Sequence, residues 1–185
     1  MLRWWIRRRL AAAERDLGYD LTYARDILDA DLGAFVRFFR VAALSSYRKG
    51  VPRDAYYAAK LVGTLVEDCG PCTQLMVTLA DREGVSHDVL RAVLAGDDGA
   101  LGDDAALGVR FARAALAHGA EADELREQVR ARWGDRGLVS LAFALAAARV
   151  YPTVKYALGH GRACTRVMVA GQPARLLRPA AEPGY

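Results

Sequence analysis

The sequence predicts an all-α fold, and three observations favour it. About one residue in five is alanine, whereas isoleucine occurs only at Ile6 and Ile27. Alanine loses no side-chain entropy in a helix, while strands favour β-branched residues. Apolar residues recur at helical spacing, as at Ala58, Leu61 and Val62. With 185 residues, 53% of them hydrophobic and 26% charged, the chain is globular and long enough to bury its own core.

Helix start and stop signals divide the chain into about eight helices, the first three of them in an N-terminal extension. An amphipathic helix runs from Leu2 to Leu17, and Asp20 caps a second helix that ends near Leu32. A third helix occupies residues 33–50. We expect residues 1–50 to form a helical extension that packs on the core.

The central segment, residues 51–160, holds the candidate chemistry. Pro52 suits the first turn of a fourth helix, which runs from Arg53 to about Asp68. Pro71 then begins a fifth helix, because proline is well tolerated where a helix has no use for its N–H. This fifth helix stops at Gly84.

Further capping signals predict the next helices. Ser86 caps a sixth helix that ends at Gly96, and Asp103 opens a seventh helix that reaches about His118. The linker between them is rich in glycine and aspartate, so we expect it to be exposed. A short, highly charged helix follows over residues 121–133.

The last predicted helix is long and apolar. Residues 134–137 separate it from the charged helix, and the apolar segment runs from Leu138 to Leu158. Arg149, Pro152 and Lys155 interrupt this segment. It therefore predicts a buried or interface helix rather than a membrane span.

The two ends of the chain carry the basic excess. The net charge is +4 with a pI of about 9.1, but acidic residues are interleaved throughout, so we expect no nucleic acid partner. No apolar stretch of signal-peptide length follows the basic start, which favours a cytoplasmic protein. Trp4 and Trp5 are expected to pack the first helix onto its own domain or a neighbouring subunit. Residues 161–185, with Pro173 and Pro179, are expected to form a C-terminal tail that is either extended or partly disordered.

The Cys-Gly-Pro-Cys motif of Cys69 and Cys72 carries the clearest chemistry. Two cysteines in the first turn of a helix lie close enough for a disulfide, and the helix N-terminus favours the thiolate. A thiolate attacks a peroxide or a disulfide, and its neighbour resolves the product. Two alternatives remain open: a pair of inert buried cysteines, or a zinc site that adds His160 and Cys164. The motif favours redox chemistry, without a metal or organic cofactor.

The same tetrapeptide occurs in thioredoxins, but the surrounding sequence does not predict their fold. A thioredoxin places the motif after a β-strand and needs a cis-proline loop in the same domain. Here the segment before the motif has helical periodicity, and no proline lies between Pro71 and Pro152.

The chain instead resembles the alkylhydroperoxidase D (AhpD)-like and carboxymuconolactone decarboxylase family, whose all-helical members carry CxxC at the start of a helix. Residues 58–97 carry the resemblance, with Lys60-Leu61-Val62-Gly63-Thr64-Leu65-Val66 before the motif, and a second match covers residues 124–159. The resemblance implies an oligomeric AhpD-like helical bundle, a homo-oligomer that reduces a hydroperoxide substrate. It also implies a dithiol protein or a small thiol as reductant.

The resemblance assigns the attack on peroxide to Cys72 and the resolving role to Cys69. Position alone favours the reverse, because Cys69 is expected at an exposed helix end; we follow the resemblance. Glu67 is an acidic candidate for the catalytic site beside Cys69. The family's histidine, four residues after the second cysteine, is Met76 here, and its upstream glutamate falls near Tyr57. The proton relay is therefore lost or rebuilt.

Three functions follow from these observations. The favoured one is a thiol-dependent hydroperoxide reductase that works through the CxxC pair. The alternative is a non-catalytic helical oligomer or redox sensor of the same family, which Met76 favours. A lactone decarboxylase ranks third, because that chemistry needs no paired thiols. Tyr56 and Tyr57 are expected to pack in the core, with a pocket-lining role as the alternative.

Overall fold

The computed structural model describes residues 1–163 and 166–177, and within them the all-α prediction is confirmed. The helices are α1 Leu2–Leu17, α2 Thr22–Ala30, α3 Leu32–Phe39, α4 Val41–Ser45, α5 Arg53–Val66, α6 Gly70–Arg82, α7 His87–Ala95, α8 Asp103–Ala117 and α9 Ala122–Ala157. A short 3₁₀ turn, Asp98–Ala100, lies in the linker before α8. Two short strands, β1 Met168–Val169 and β2 Gln172–Pro173, pair antiparallel.

A side-chain cap holds one of the two predicted helix starts. The Ser86 hydroxyl accepts a hydrogen bond from the Val89 N–H at 3.2 Å, so Ser86 is the N-cap of α7 as predicted. The prediction that Asp20 caps the second helix is wrong, because the N-cap of α2 is Leu21, without a side-chain cap. Asp20 lies one residue earlier, and its carboxylate accepts a hydrogen bond from the Thr22 N–H at 2.8 Å.

Two of the predicted boundaries differ from the structure. The predicted third helix divides into α3 and α4 at Arg40, whose N–H bonds to the Arg37 carbonyl three residues back, a 3₁₀-type contact that interrupts the α-helical pattern. The charged helix and the apolar helix form one element, α9, but Gly134 breaks it with φ 68° and ψ −179°. The predicted glycine boundary is therefore a kink, which glycine adopts without a steric penalty.

Helix α5 lies at the centre of the main apolar core and packs against α6, α7, α8 and α9. Its residues from Ala55 to Thr64 are all buried. Glycines allow its close neighbours to approach: a Cβ added at Gly108 would lie 2.6 Å from the Ala55 carbonyl oxygen, and one added at Gly63 would lie 2.8 Å from the Ala148 Cβ. Any side chain at either position would push α8 or α9 away from α5.

The N-terminal helices form a second apolar cluster beside this core. Its buried members come from α1, α2, α3 and the loop after α1, namely Leu10, Tyr19, Leu21, Tyr23, Ala24, Leu28 and Phe35. Leu75 of α6 packs against both clusters. The two parts of the chain are joined by an ion pair between Asp16 and Arg82, 2.7 Å, and by a hydrogen bond between Asp26 and His160, 2.8 Å.

Trp4 and Trp5 do not pack onto their own domain, contrary to one of the two expectations. They are 57% and 56% exposed, and the guanidinium groups of Arg8 and Arg9 lie over their rings at 4.9 and 4.7 Å. Helix α1 instead turns Leu10 toward the core. The two indoles therefore lie on an open surface of the chain.

The segment after Arg166 is not an extended tail, which corrects the prediction for residues 167–177. Val167 and Val169 are buried, and the Gln74 side chain bonds both the N–H and the carbonyl of Met168. The hairpin turn has Ala170 and Gly171 at positive φ, as tight hairpin turns require. A run this short shows too little alternation to predict a strand. Pro179 and the remaining tail residues lie outside the described residues.

One helix of the described residues, α9, is long and apolar enough to cross a membrane by length and composition. Core helices of soluble proteins meet the same criterion. In the structure α9 packs against α4, α5 and α8.

Candidate functional site

The CxxC motif lies where the chain turns from α5 into α6. Asp68 precedes it with φ 46°, a left-handed conformation that aspartate tolerates better than most residues. Cys69 occupies the N-cap position in extended conformation, and α6 begins at the next residue. The Cα atoms of Cys69 and Cys72 are 5.3 Å apart and their sulfurs lie at disulfide-bonding distance. The predicted helix-start geometry of the pair is present.

The expectation that Cys69 lies at an exposed helix end is wrong. Cys69 is fully buried and Cys72 is 4% exposed. The reason is the chain beyond α9, which returns over the motif: the Gly70 N–H donates a 3.0 Å hydrogen bond to the Arg162 carbonyl. A backbone acceptor thus takes the place that water would hold at the first turn of α6.

A cavity of about 440 Å³ lies between the N-terminal helices and the core, and Cys72 is in its wall. This volume is within the range of about 300–1,000 Å³ typical of small-molecule sites. Apolar and aromatic side chains make most of the lining. The lining residues are Leu10, Ala13, Leu17, Tyr19, Leu21, Tyr23, Phe39, Ala42, Ser45, Ser46, Tyr57, Lys60, Thr64, Cys72, Leu75, Met76, Leu79, Ala147, Ala148, Tyr151 and Pro152.

A chain of polar contacts leads from Cys72 into the core. The Tyr19 hydroxyl lies 3.8 Å from the Cys72 sulfur, within hydrogen-bond reach of sulfur. The Lys155 ammonium donates to the Tyr19 oxygen at 3.2 Å. Burial raises the pKa of Tyr19 to about 12, so its hydroxyl stays protonated at neutral pH. Burial also lowers the pKa of Lys155. The arrangement can therefore deliver a proton to an atom that reacts at Cys72.

Lys60 is a second buried ammonium, and it lines the cavity directly. It is 3% exposed and donates to the carbonyl and hydroxyl oxygens of Ser45, at 2.9 and 3.0 Å. The rings of Tyr56 and Tyr57 lie 5.2 and 5.4 Å from its nitrogen. Burial lowers the pKa of Lys60 to about 8, with Glu83 acting weakly in the opposite direction.

Both tyrosines expected in the core are buried there, and they differ in one respect. Tyr56 packs away from the cavity and donates its hydroxyl to the Ser45 carbonyl at 2.7 Å. Tyr57 also lines the cavity, so the pocket-lining alternative holds for it. Met76 lies in the same wall, one turn after Cys72, and is 9% exposed.

The structure places Glu67 apart from this cavity. Its carboxylate forms an ion pair with Arg149 of α9, and Thr153 donates to it at 3.5 Å. Among the described residues that line the cavity, Glu67 is absent. The contact with Arg149 ties the end of α5 to α9, and a catalytic role for Glu67 remains a prediction.

The zinc hypothesis depends on Cys164, which lies outside the described residues. Its partner His160 bonds the Asp26 carboxylate through Nε2 at 2.8 Å. Over residues 1–163 and 166–177, no group of three or more His, Cys, Asp or Glu side chains is arranged to hold a metal ion.

Sequence reasoning did not identify Tyr19, Lys60 and Lys155 as site residues. A signal for the lysines exists: the chain has 26 basic residues, and only Lys49, Lys60 and Lys155 are lysine. Lysine loses its proton readily when buried, which arginine does not, so a rare lysine in an apolar helix stripe indicates a special environment. No such signal marks Tyr19, which reaches Cys72 only through the tertiary fold.

Fold and site together define an all-helical protein with a CxxC pair beside an apolar cavity. No known family model, curated protein or solved structure matches the chain.

Proposed function

We propose that the protein is a thiol-dependent hydroperoxide reductase in which Cys72 attacks the peroxide and Cys69 resolves the product. One observation carries this proposal: Cys72 borders a cavity of about 440 Å³, while the fully buried Cys69 lies at bonding distance behind it. A substrate in the cavity meets Cys72 first. This supports the order of attack that the AhpD-like resemblance implies, against the order that sequence position favours.

The chemistry runs in two steps. The Cys72 thiolate attacks the terminal oxygen of the hydroperoxide, an S–O bond forms and the O–O bond breaks. The alkoxide that leaves takes a proton and becomes an alcohol. The Cys69 sulfur then attacks the sulfenic acid on Cys72, the disulfide forms and water leaves. One hydroperoxide and two thiols thus give one alcohol, one disulfide and one water, and an external dithiol or small thiol returns the pair to the reduced state.

Tyr19 supplies the proton that the family's histidine would otherwise supply. Its hydroxyl lies 3.8 Å from the Cys72 sulfur, and Met76 has no proton to give. Lys155 acts through Tyr19 as a positioning residue, because its ammonium holds the phenol oxygen at 3.2 Å and stabilises negative charge there.

The proposal includes an AhpD-like bundle that assembles as a homo-oligomer in the cytoplasm, with no metal or organic cofactor. The second candidate is a redox sensor or non-catalytic oligomer of the same type. Met76, in place of a proton-transferring residue, favours it, as does the complete burial of Cys69, which hinders exchange with an external thiol.

Counting free thiols tests the proposal. One equivalent of cumene hydroperoxide is expected to reduce the three thiols of the reduced protein to one, and the two thiols of Cys164→Ser to none. Cys72→Ser keeps both of its thiols. Cys69→Ser loses one, with a sulfenic acid that dimedone traps on Cys72.

If all three thiols are still free after the hydroperoxide is added, the proposal is contradicted and Cys69 and Cys72 are an inert pair. Oxidation without turnover in excess dithiothreitol would favour the sensor.

A further inference from the structure

We infer that the cavity beside Cys72 binds an amphipathic monocarboxylate, with Lys60 as the partner of the carboxylate group. The reaction at Cys72 rests on the proposed function, and the substrate class then becomes a hydroperoxide that carries a carboxylate on an apolar chain. The binding site itself stands on the geometry of the cavity.

The first argument is the charge of the cavity. Lys60 lies in the lining, and Lys155 donates a hydrogen bond to Tyr19, which is another lining residue. Among the described residues that line the cavity, none is aspartate or glutamate. A cavity with apolar walls and cationic groups selects a ligand with one anionic end and an apolar body.

The second argument is that the Lys60 charge has no ionic partner. Over the described part of the chain, no carboxylate lies within 4 Å of its ammonium, and both Ser45 contacts are neutral oxygens. Glu83 acts on it only from a distance and pairs with Arg48 at 3.2 Å. A buried ammonium without an ion pair is costly, and a counter-charge offsets part of the cost of removing its solvation. A carboxylate supplies that counter-charge.

The third argument is the hydrogen-bonding capacity of the ammonium. It has three N–H donors, and the Ser45 carbonyl and hydroxyl account for two of them. One donor is left for a ligand oxygen. The same group lies near the faces of Tyr56 and Tyr57, which hold it in place through cation–π attraction without neutralising it.

The walls suit the apolar body of such a ligand. Leu10, Leu17 and Leu21 line the cavity from the N-terminal helices, and Leu75 and Leu79 line it from α6. Cys72 lies on the same helix as the last two. When the apolar chain of the ligand lies along this wall, a hydroperoxide group on it reaches the Cys72 sulfur while the carboxylate stays at Lys60.

Isothermal titration with sodium decanoate tests the inference without any thiol chemistry. The Cys72→Ser protein is expected to bind one decanoate per chain and to bind uncharged decan-1-ol at least tenfold more weakly. Lys60→Met, which keeps an unbranched side chain only one heavy atom shorter and removes the charge, is expected to lose at least tenfold in affinity. Lys49→Met is the matched control, since it removes an exposed lysine charge elsewhere, and it keeps the affinity.

The inference would be overturned if decanol bound as tightly as decanoate, or if each chain took up many decanoates. It would also be overturned if the decanoate affinity of Lys60→Met stayed within twofold of the parent, or if Lys49→Met lost as much affinity as Lys60→Met. If cumene hydroperoxide lowers the count from three thiols to one but decanoate does not bind, this inference is wrong and the proposed function stands. If decanoate binds but the thiols do not react, the proposed reductase function is wrong and the carboxylate-binding site stands.

Discussion

The hydroxyl of Tyr19 lies 3.8 Å from the sulfur of Cys72, although 53 residues separate them along the chain. The contact joins the loop after α1 to the first turn of α6. It makes the N-terminal segment part of the site, because that segment supplies both a wall of the cavity and a hydroxyl within hydrogen-bond reach of the sulfur. Deleting residues 1–50 would therefore remove chemistry as well as packing.

Tyr19→Phe is expected to slow the oxidation of Cys72 by an organic hydroperoxide about tenfold to a hundredfold, because it removes the proton donor and leaves the ring in place. Stopped-flow measurement of sulfenic acid formation in the Cys69→Ser background gives the rate. Tyr56→Phe is the control, since it removes the hydroxyl of another buried tyrosine, one that donates to the Ser45 carbonyl and is not itself among the residues lining the cavity. Equal rates in the two variants would contradict a donor role for Tyr19.

Lys60→Met is expected to raise the free energy of unfolding at pH 7 by about 1–3 kcal/mol, because it removes a buried charge whose pKa burial lowers to about 8. The Ser45 carbonyl keeps its hydrogen bond from Tyr56. Folding lowers the pKa of Lys60 below its ordinary value of 10.5, so the unfolded chain binds more protons between these two values. The stability of the parent therefore rises with pH over this window.

The advantage of Lys60→Met should accordingly shrink between about pH 8 and pH 10.5, as urea denaturation of both proteins at four pH values would measure. Other titrating groups cancel in the difference. A constant difference across the window would mean that Lys60 keeps an ordinary pKa in the folded chain.

Leu28→Ala is expected to cost about 2–5 kcal/mol, because Leu28 is fully buried in the N-terminal cluster. It should also speed the alkylation of reduced Cys72 by iodoacetamide, since that cluster covers one side of the cavity. Leu94→Ala in α7 is the matched control: it removes an equally buried leucine that belongs to the main core and not to the N-terminal cluster. If the two variants speed alkylation equally, the N-terminal cluster is not what restricts access to the thiol.

Replacing Trp4 and Trp5 by alanine is expected to lower the mass of the proposed homo-oligomer toward 20.1 kDa in sedimentation, with a change of about 0.5 kcal/mol or less in stability. Both indoles are more than half exposed beside the exposed Met1 and Leu2, as befits an interface. Leu158→Ala, an exposed apolar residue at the far end of α9, should leave the mass unchanged. If the mass of the tryptophan variant is unchanged, these two indoles do not form the interface of the proposed homo-oligomer.

The local features of the fold could be predicted because local physics sets them. Ser86 and Gly134 act within a few residues of their own position, as a cap and as a break, and each is found where its residue type indicates. The start of α6 at the CxxC motif is of the same kind. Such signals need no knowledge of what packs against them.

The site depends on contacts between distant segments, and there the sequence was less informative. The burial of Cys69 comes from Arg162, which arrives from the opposite end of the chain. Tyr19 meets Cys72 from the loop after α1, and Lys155 meets Tyr19 from α9. Helical periodicity gives the face on which a residue lies, but it does not give the partner that covers that face.

The contact between Gly70 and Arg162 also sets an order of events during synthesis. A chain leaves the ribosome N-terminus first, at about 5–20 residues per second, so Cys72 emerges roughly ninety residues, or on the order of 5–20 seconds, before Arg162. Over that interval the nascent chain carries an uncovered dithiol. The newborn site is thus more open to oxidants and to thiol exchange than the finished protein ever is.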